Sequence, residues 1–305
     1  MQTEDRRPII DTLAPIGRVS ALDLPRDRIL GEHAGRIIRQ LDCLESGKEI
    51  INPALELEMQ HVSFPVHFLD IETIRTSVPV HRGGRVNGLT LFQFSVHTRQ
   101  FMRGPLVHHA WLNTETADPN RTFLRALRAV LGDLGTVLIW TEYERQCFHE
   151  LLNELLTVGP PDADTAWLQA LLFGDRMFDQ HRLCYDYYQH PLMGGRTSIK
   201  AVLPAVWSED SPVKLMAPYV DFPQDIDPYA ALHQAGNVSD GCNAMEAYLA
   251  LMTADIETRQ KVKNGLLKYC HVDTAAMAYV WDYWEWSLLR QRLHDQMAEK
   301  TVLLG

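Results

Sequence analysis

Val66-His67-Phe68-Leu69-Asp70-Ile71-Glu72-Thr73 is a short apolar run that contains two carboxylates near its carboxyl end. Because side chains alternate between the two faces of a strand, Asp70 and Glu72 point to the same face as Val66 and Phe68. The apolar residues predict that this face is buried. Two unpaired buried carboxylates are energetically costly, and a divalent cation with oxygen ligands would neutralise them. The octet alone leaves two interpretations open: a metal site, or a strand end at which both acids are solvated.

The segments after the octet predict a mixed α/β sheet. Residues 89–99 and 107–112 read as strands, so three strands occur in succession. Asp118-Pro119 predicts a helix start with Asp118 as the N-cap, and residues 136–140 predict a short buried strand. A helix follows at once, with an apolar face made by Phe148, Leu151, Leu152 and Leu155. This alternation indicates a partly parallel sheet, in which sites gather at the carboxyl ends of the strands.

Further acidic residues lie just after a predicted strand or within an apolar helix stripe. Glu142 and Glu144 follow the strand at 136–140, although a glutamate in a first helical turn also interacts favourably with the helix N-terminus. A long helix predicted over residues 259–294 has an apolar stripe with one turn occupied by Asp273. Tyr269 lies one turn earlier on the same side. A carboxylate in the buried apolar stripe of a helix needs a positively charged partner, which is an arginine, a lysine or a metal cation. Because the octet also contains two acids, we expect that Asp273 binds a cation.

The composition is that of a globular chain. It has 305 residues, 46% of them hydrophobic and 22% charged, and no apolar run of signal-peptide or membrane length, so we expect a cytoplasmic protein. Its five cysteines are scattered without a Cys-x-x-Cys pair, which argues against a disulfide framework and a structural zinc site and predicts reduced, mostly buried thiols. The net charge of −10 lacks the usual basic footprint of a nucleic-acid protein. A cluster of carboxylates that holds metal ions would also make such a protein acidic.

Two domain-level units are predicted: a helical N-terminal extension over residues 1–62, with a helix candidate at 26–44, and a main domain over residues 63–300. The proline-rich residues 212–228 are expected to be irregular surface.

Three basic residues are candidates for phosphate contacts. Arg82 and Arg85 lie in a glycine-marked loop, which is either free to reach a ligand or simply a surface hairpin tip. Lys200 lies early in a short helix whose N-terminus offers backbone N–H groups to an anion, although an ordinary capped helix explains the pattern equally well. Asp179 is a candidate for an acid behind the metal ligands, or else a surface aspartate.

Three motifs together resemble those of the DEDD (DnaQ-like) exonucleases: Asp70-Ile71-Glu72 on the first strand, Glu144 after an apolar strand, and Tyr269-x-x-x-Asp273 on a late helix. The tyrosine four residues before the last acid resembles the DEDDy subgroup. The stretches at 68–73, 92–95, 198–204 and 269–277 also look like an uncharacterised bacterial domain family, considered ribonuclease H-like and often joined to a RecB-type nuclease domain. The resemblance covers roughly residues 60–285.

This resemblance implies a ribonuclease H-like fold, with a mixed five-stranded sheet flanked by helices and a helical N-terminal lead-in. It implies two-metal hydrolysis of DNA or RNA from a 3′ end, with two Mg²⁺ or Mn²⁺ ions held by Asp70, Glu72, Glu144 and Asp273.

 The substrate that the resemblance implies is the 3′ end of a single-stranded nucleic acid, from which nucleoside monophosphates would be released. Tyr269 would position the attacking water or help to deprotonate it.

Two departures from the family pattern matter. The second motif reads Trp140-Thr141-Glu142-Tyr143-Glu144, without the usual preceding Asn and with Glu in place of Asp. The second-motif acid is therefore Glu144 or Glu142, and the pair Tyr143-Glu144 favours Glu144. The RecB-type domain and its cysteine cluster are absent from this sequence, so any function that depends on them does not carry over. A separate protein partner with a second nuclease activity is one expectation.

Two rival functions stay open. One is a non-catalytic nucleic-acid-binding or partner-docking module that keeps the ribonuclease H-like fold, since a fold does not certify an activity. In that case at least one of the four acids should turn away or pair with an arginine. The other is a metal-dependent hydrolase of small phosphorylated compounds, which a closed pocket would favour.

Overall fold

The structure is a computed structural model that describes residues 20–216, 219–234, 238 and 240–304. The expectations for residues 1–19, including the start of the N-terminal extension, lie outside the described residues. Among the described residues, no helix combines the length and the apolar character that crossing a membrane requires.

Seven strands and ten α-helices make up the described chain. The strands are β1 (Ile50–Ile51), β2 (Val66–Ile74), β3 (Thr90–Arg99), β4 (Leu106–Leu112), β5 (Thr136–Ile139), β6 (Met177–Asp179) and β7 (Tyr188–Gln189). The helices are α1 (Ala34–Ser46), α2 (Ala54–Met59), α3 (Asn120–Leu131), α4 (Tyr143–Val158), α5 (Ala163–Phe173), α6 (Gln180–Tyr187), α7 (Ile199–Trp207), α8 (Pro228–Gln234), α9 (Gly241–Thr253) and α10 (Ile256–Leu304). Short 3₁₀ helices lie at Ala21–Asp23, Arg26–Arg28, Pro191–Met193, Pro212–Leu215 and Tyr219–Asp221.

The central sheet has five strands in the order β4-β3-β2-β5-β6. The pairs β4–β3 and β3–β2 are antiparallel, whereas β2–β5 and β5–β6 are parallel. Helices flank this sheet, and a helical region precedes it, so the predicted ribonuclease H-like fold is confirmed. Because β2, β5 and β6 are parallel, their carboxyl ends meet at one edge of the sheet.

Both faces of β2 are buried, and each faces a different layer of helices. Leu69 and Ile71 belong to a core shared with α3, α4 and α5. Val66 and Phe68 belong to a second core shared with α7 and α10. The period of two therefore places Asp70 and Glu72 on the face covered by α10, as the octet predicts.

A glycine allows β5 to lie beside β2. Gly135 has a φ of +81°, and a Cβ at this position would lie 1.9 Å from the carbonyl oxygen of Pro65. The next residue, Thr136, donates its N–H to that same oxygen at 3.0 Å. Any larger residue at position 135 would push the two strands apart, because Cβ atoms do not approach a backbone oxygen so closely.

The described part of the N-terminal extension packs on the main domain. Strand β1 pairs antiparallel with β7. The Glu49 carboxylate accepts hydrogen bonds from Tyr188 at 3.2 Å and from Tyr283 at 2.7 Å. The helix predicted from residue 26 begins only at Ala34, because Gly31 with a φ of +98° separates it from the preceding 3₁₀ turn.

Two local predictions are wrong. Pro119, and not Asp118, is the N-cap of α3, and the Asp118 carboxylate instead accepts the N–H of Asn120 at 3.0 Å. The segment 212–228 is not simply surface, because Val213 and Tyr219 are buried in the core. The prediction for the cysteines is confirmed: all five are free thiols, and all except Cys242 are buried.

A buried ion pair joins the sheet to α10. The Arg99 guanidinium donates to both carboxylate oxygens of Asp282, at 2.5 and 2.7 Å, and Tyr219 donates to the same carboxylate at 2.8 Å. Both charged side chains are almost fully buried. The pair therefore fixes where α10 crosses β3.

We expect Asp282→Ala to lower the free energy of unfolding by about 3–5 kcal/mol, because it leaves the Arg99 charge buried without a partner. The matched control is Glu150→Ala, which removes the partner of Arg75 from a half-exposed bidentate pair. The control should change stability by less than about 1 kcal/mol. Urea unfolding of the three proteins measures the difference, and equal effects of the two substitutions would contradict the structural role of the buried pair.

Candidate active site

Four carboxylates lie near one another at the carboxyl end of β2, because the Asp273 charge acts on Asp70 and Glu72 and the Glu144 charge acts on Glu72. Of the four, Asp70 and Glu72 share with Cys270 a group whose ligand atoms lie within 4.8 Å of one another. Strand β2 supplies Asp70 and Glu72, the first turn of α4 supplies Glu144, and α10 supplies Asp273. Glu72, Glu144 and Asp273 are only 8%, 5% and 6% exposed. The pairing of β2 with β3 shifts in register between Glu72 and Thr73, an irregularity of the kind that often lies beside active sites.

The acids raise one another's pKa values. Burial, followed by the Asp273 charge, raises the pKa of Asp70 to about 8. Burial and then the charges of Asp70 and Asp273 raise the pKa of Glu72. Burial and then the Asp70 charge raise the pKa of Glu144. The four groups thus form one electrostatic unit in which every added negative charge is unfavourable.

Within the described residues, no arginine forms an ion pair with any of these acids. Asp70 accepts a hydrogen bond from the Cys270 thiol at 3.1 Å, and Asp273 accepts one from the Tyr229 hydroxyl at 2.5 Å. The Oε2 atom of Glu144 is buried and has no hydrogen-bond partner. A buried carboxylate oxygen without a partner costs free energy, so the site has coordination capacity that its own side chains do not use.

Lys200 and Tyr269 lie beside the acids. The Lys200 ammonium donates to the Tyr269 hydroxyl at 2.6 Å and lies 4.7 Å from the centre of the Tyr269 ring. Its positive charge lowers the pKa values of Asp70, Glu72 and Asp273, in opposition to the larger effect of burial. Burial and the neighbouring acids raise the pKa of Tyr269, so its phenol stays protonated at neutral pH.

The donor set fits a hard divalent cation. Ligand atoms of Asp70, Glu72 and Cys270 lie within 4.8 Å of one another. Burial and the adjacent acids raise the pKa of the Cys270 thiol, so it remains protonated and acts as a donor to Asp70. The available ligands are then carboxylate oxygens, which Mg²⁺ and Mn²⁺ prefer.

The structure distinguishes the two glutamates of the second motif. Glu142 is the N-cap residue of α4, is exposed, and forms an ion pair with Arg145 at 2.8 Å. Glu144, two residues later, is buried and close enough to Asp70 for the charge of Asp70 to raise its pKa. Of the two candidates, Glu144 lies with the other acids and Glu142 lies at the surface.

The remaining predicted residues lie at different distances from the acids. Arg82 and Arg85 are exposed, and Arg85 lines a groove along α4 that includes Glu150 and Glu154. In the described chain, neither arginine bonds to the four carboxylates. Asp179 caps α6 by accepting the N–H of Arg182 at 3.1 Å, and its charge raises the pKa of Glu144. Asp179 is therefore partly buried, near Glu144, and serves as a helix cap.

Two contacts at the site were not anticipated. Tyr229 reaches Asp273 across 44 residues of chain, and no spacing pattern marks such a contact. In the sequence, Cys270 looks like an ordinary small apolar residue of the buried stripe of α10. Its thiol reaches Asp70 only because α10 packs against β2.

Residues 67–198 match a family described as a domain of unknown function (DUF2779). The match covers less than half of the chain. It includes Asp70, Glu72 and Glu144 and ends before Lys200, Tyr269 and Asp273. No curated protein and no solved structure matches the chain.

The metal-free protein should lose stability as the pH rises from about 6.5 to about 8. Asp70, with a pKa of about 8 in the fold, holds a proton there that the unfolded chain, with a pKa of about 3.9, has already released. The proton on Asp70 alone should lower the free energy of unfolding by about 1–2 kcal/mol over this range. Histidines whose pKa values are lowered by burial oppose this fall, because the unfolded chain still protonates about half of each at pH 6.5, so the Asp70 contribution is the difference from Asp70→Asn.

Urea unfolding in EDTA measures this slope, which Asp70→Asn should reduce. Glu142→Gln is the matched control, because Glu142 is exposed and paired at the surface, and it should keep the slope of the wild type. A slope that is the same in all three proteins would show that Asp70 does not titrate in this way.

Proposed function

We propose that this protein is a metal-dependent 3′-5′ exonuclease that hydrolyses phosphodiester bonds of DNA or RNA. The observation that carries the proposal is a group of four neighbouring carboxylates from β2, α4 and α10, three of them buried and Asp70 half-buried, without an arginine partner in the described chain. Their resemblance in type and order to the DEDDy motifs supports the substrate class.

Asp70, Glu72, Glu144 and Asp273 would hold two Mg²⁺ or Mn²⁺ ions. In such sites the ions lower the pKa of the attacking water and stabilise the leaving oxygen. The unpartnered Oε2 of Glu144 and the raised pKa values of Asp70 and Glu72 support a role for these oxygens as cation ligands.

Tyr269 and Lys200 have separate roles in this proposal. The Tyr269 hydroxyl accepts a hydrogen bond from Lys200, and its own proton contributes to a hydrogen bond with Asp273. Because the pKa of Tyr269 is raised, the phenol orients the attacking water by hydrogen bonding and does not take its proton. Lys200 supplies the positive charge that a scissile phosphate requires.

The convergence of the acids also bears on the non-catalytic alternative. A binding module would be expected to have at least one acid turned away or paired with an arginine. The acid that is turned away and paired is Glu142, while Glu144 occupies the cluster. This arrangement supports turnover.

The proposal includes a cytoplasmic location, where free thiols such as those found here persist.

The first test uses single-stranded DNA and RNA labelled at the 5′ end, with Mn²⁺, Mg²⁺ or EDTA. We expect a metal-dependent ladder that shortens from the 3′ end. Glu144→Gln should lower the rate by more than about 100-fold, because even changes outside the ligands of a metal site cost about 10–100-fold. Glu142→Gln is the matched control and should retain the wild-type rate.

If the wild-type protein binds the substrates in a salt-sensitive way but does not cleave them, the exonuclease proposal is wrong and the non-catalytic binding module becomes the better interpretation. Equal activity of the wild type and Glu144→Gln would show that Glu144 is not the second-motif acid.

A second test separates the role of Tyr269 from metal binding. Tyr269→Phe removes the hydroxyl but no proposed ligand, so the rate should fall by about 10–100-fold while the affinity for Mn²⁺ stays unchanged. Isothermal titration with Mn²⁺ and single-turnover kinetics on the same preparation measure the two quantities. A parallel loss of Mn²⁺ affinity would mean that Tyr269 acts only by holding Asp273 in place.

A further inference from the structure

Three histidines form a cluster beside the acids that the exonuclease proposal does not use. His97 lies on β3, His108 on β4 and His271 on α10. One ring nitrogen of each lies within 4.8 Å of the others. The ring centres are 4.6 Å apart for His97 and His108, 4.8 Å for His97 and His271, and 4.4 Å for His108 and His271.

The sheet register and the path of α10 create this cluster. His97 and His108 are direct cross-strand partners, so their side chains share a face of the sheet. His97 is also paired with Phe68, whose face of β2 is the one covered by α10. His271 reaches the two rings from that helix.

A chain of hydroxyl groups contacts two of the rings. The Thr274 hydroxyl lies 3.2 and 3.3 Å from the carbonyl oxygens of Cys270 and His271, 2.8 Å from His97 Nδ1 and 2.7 Å from the Ser95 hydroxyl, which lies 2.9 Å from His108 Nε2. When Thr274 donates to a carbonyl oxygen, His97 Nδ1 is a donor and the lone pair of the neutral ring is on Nε2. When Ser95 in turn donates to Thr274, the lone pair of His108 is on Nδ1.

One of these lone pairs has no partner. His97 Nε2 is buried and has no hydrogen-bond partner, and the residue as a whole is only 1% exposed. Burial, then the other two rings, lowers the pKa of His97 to about 2, so its imidazole is neutral. A neutral ring whose other nitrogen is held by a hydroxyl is the form in which histidine binds a metal.

We propose that His97, His108 and His271 bind one divalent transition-metal ion of the zinc class. Three imidazoles suit zinc and its neighbours cobalt, nickel and copper, and they do not suit Mg²⁺ or Mn²⁺. The ligand nitrogens of a tetrahedral zinc site lie about 3.4 Å apart, so small rotations of the rings would close the cluster on the ion. His108 and His271 are only partly buried, which leaves an entry path and a fourth position for water.

The ion would join β3, β4 and α10 at a point two residues from Asp273 in sequence. The cluster contains three imidazoles and no cysteine, so it differs from a cysteine-based structural zinc site. The proposal is also independent of the exonuclease, since it uses none of the four acids.

The test is a titration of chelator-treated protein with Zn²⁺ in excess Mg²⁺, followed by calorimetry. We expect one tight zinc equivalent in the wild type. His108→Ala should weaken it by more than about 100-fold, since it removes a ligand. His109→Ala is the matched control, because His109 is exposed on the same strand and lies outside the cluster. His109→Ala and Asp70→Asn should both bind zinc as the wild type does.

His108→Gln provides a second variant of similar volume in case His108→Ala does not fold. Cobalt adds a direct readout, because three nitrogen ligands give Co²⁺ visible absorption bands that His108→Gln should lose. Equal zinc affinity in the wild type and the His108 variants would overturn the proposal and leave the histidines as a packed, hydrogen-bonded cluster. Loss of the zinc equivalent in Asp70→Asn would overturn it in favour of binding at the acids.

Discussion

The repulsion between acids buried at the end of β2 is the constraint on which the rest of the structure depends. Like charges in a low-dielectric interior repel strongly, and burial already disfavours each of them. The fold reduces this repulsion with a proton on Asp70, the charge of Lys200, and hydrogen bonds from Tyr229 and Cys270. These measures are partial, because Glu144 keeps an oxygen without a partner.

The architecture around the acids resists their separation. The parallel pairing of β2 with β5 brings the ends of both strands to one edge, and the first turn of α4 follows directly. On the other side, the Arg99–Asp282 pair and a hydrogen bond from Gln93 to the carbonyl oxygen of Leu266 hold α10 against β3. Both attachments are buried, so α10 cannot move away from the acids without exposing charged or polar groups from the core.

The sequence predicted those parts of the fold and site that follow from local periodicity. Alternation in β2 placed Asp70 and Glu72 on one face, and the helical period placed Asp273 one turn from Tyr269. Periodicity could not choose between Glu142 and Glu144, because two positions differ by about 200° around a helix and the choice depends on where α4 begins. Tyr229 and the histidines could not be predicted, since their contacts depend on strand register and on helix packing between distant segments.

A single turn of α10 contacts both groups of side chains. Cys270 bonds to Asp70, while Thr274, one turn later, bonds to Ser95 and His97. A ligand that shifted this turn on one side would change the geometry on the other, and the two proposed sites would then share one conformational free energy. By reciprocity, whatever factor the occupation of one site applied to affinity at the other would apply equally in the opposite direction. Such a linkage would pass through this turn of the helix.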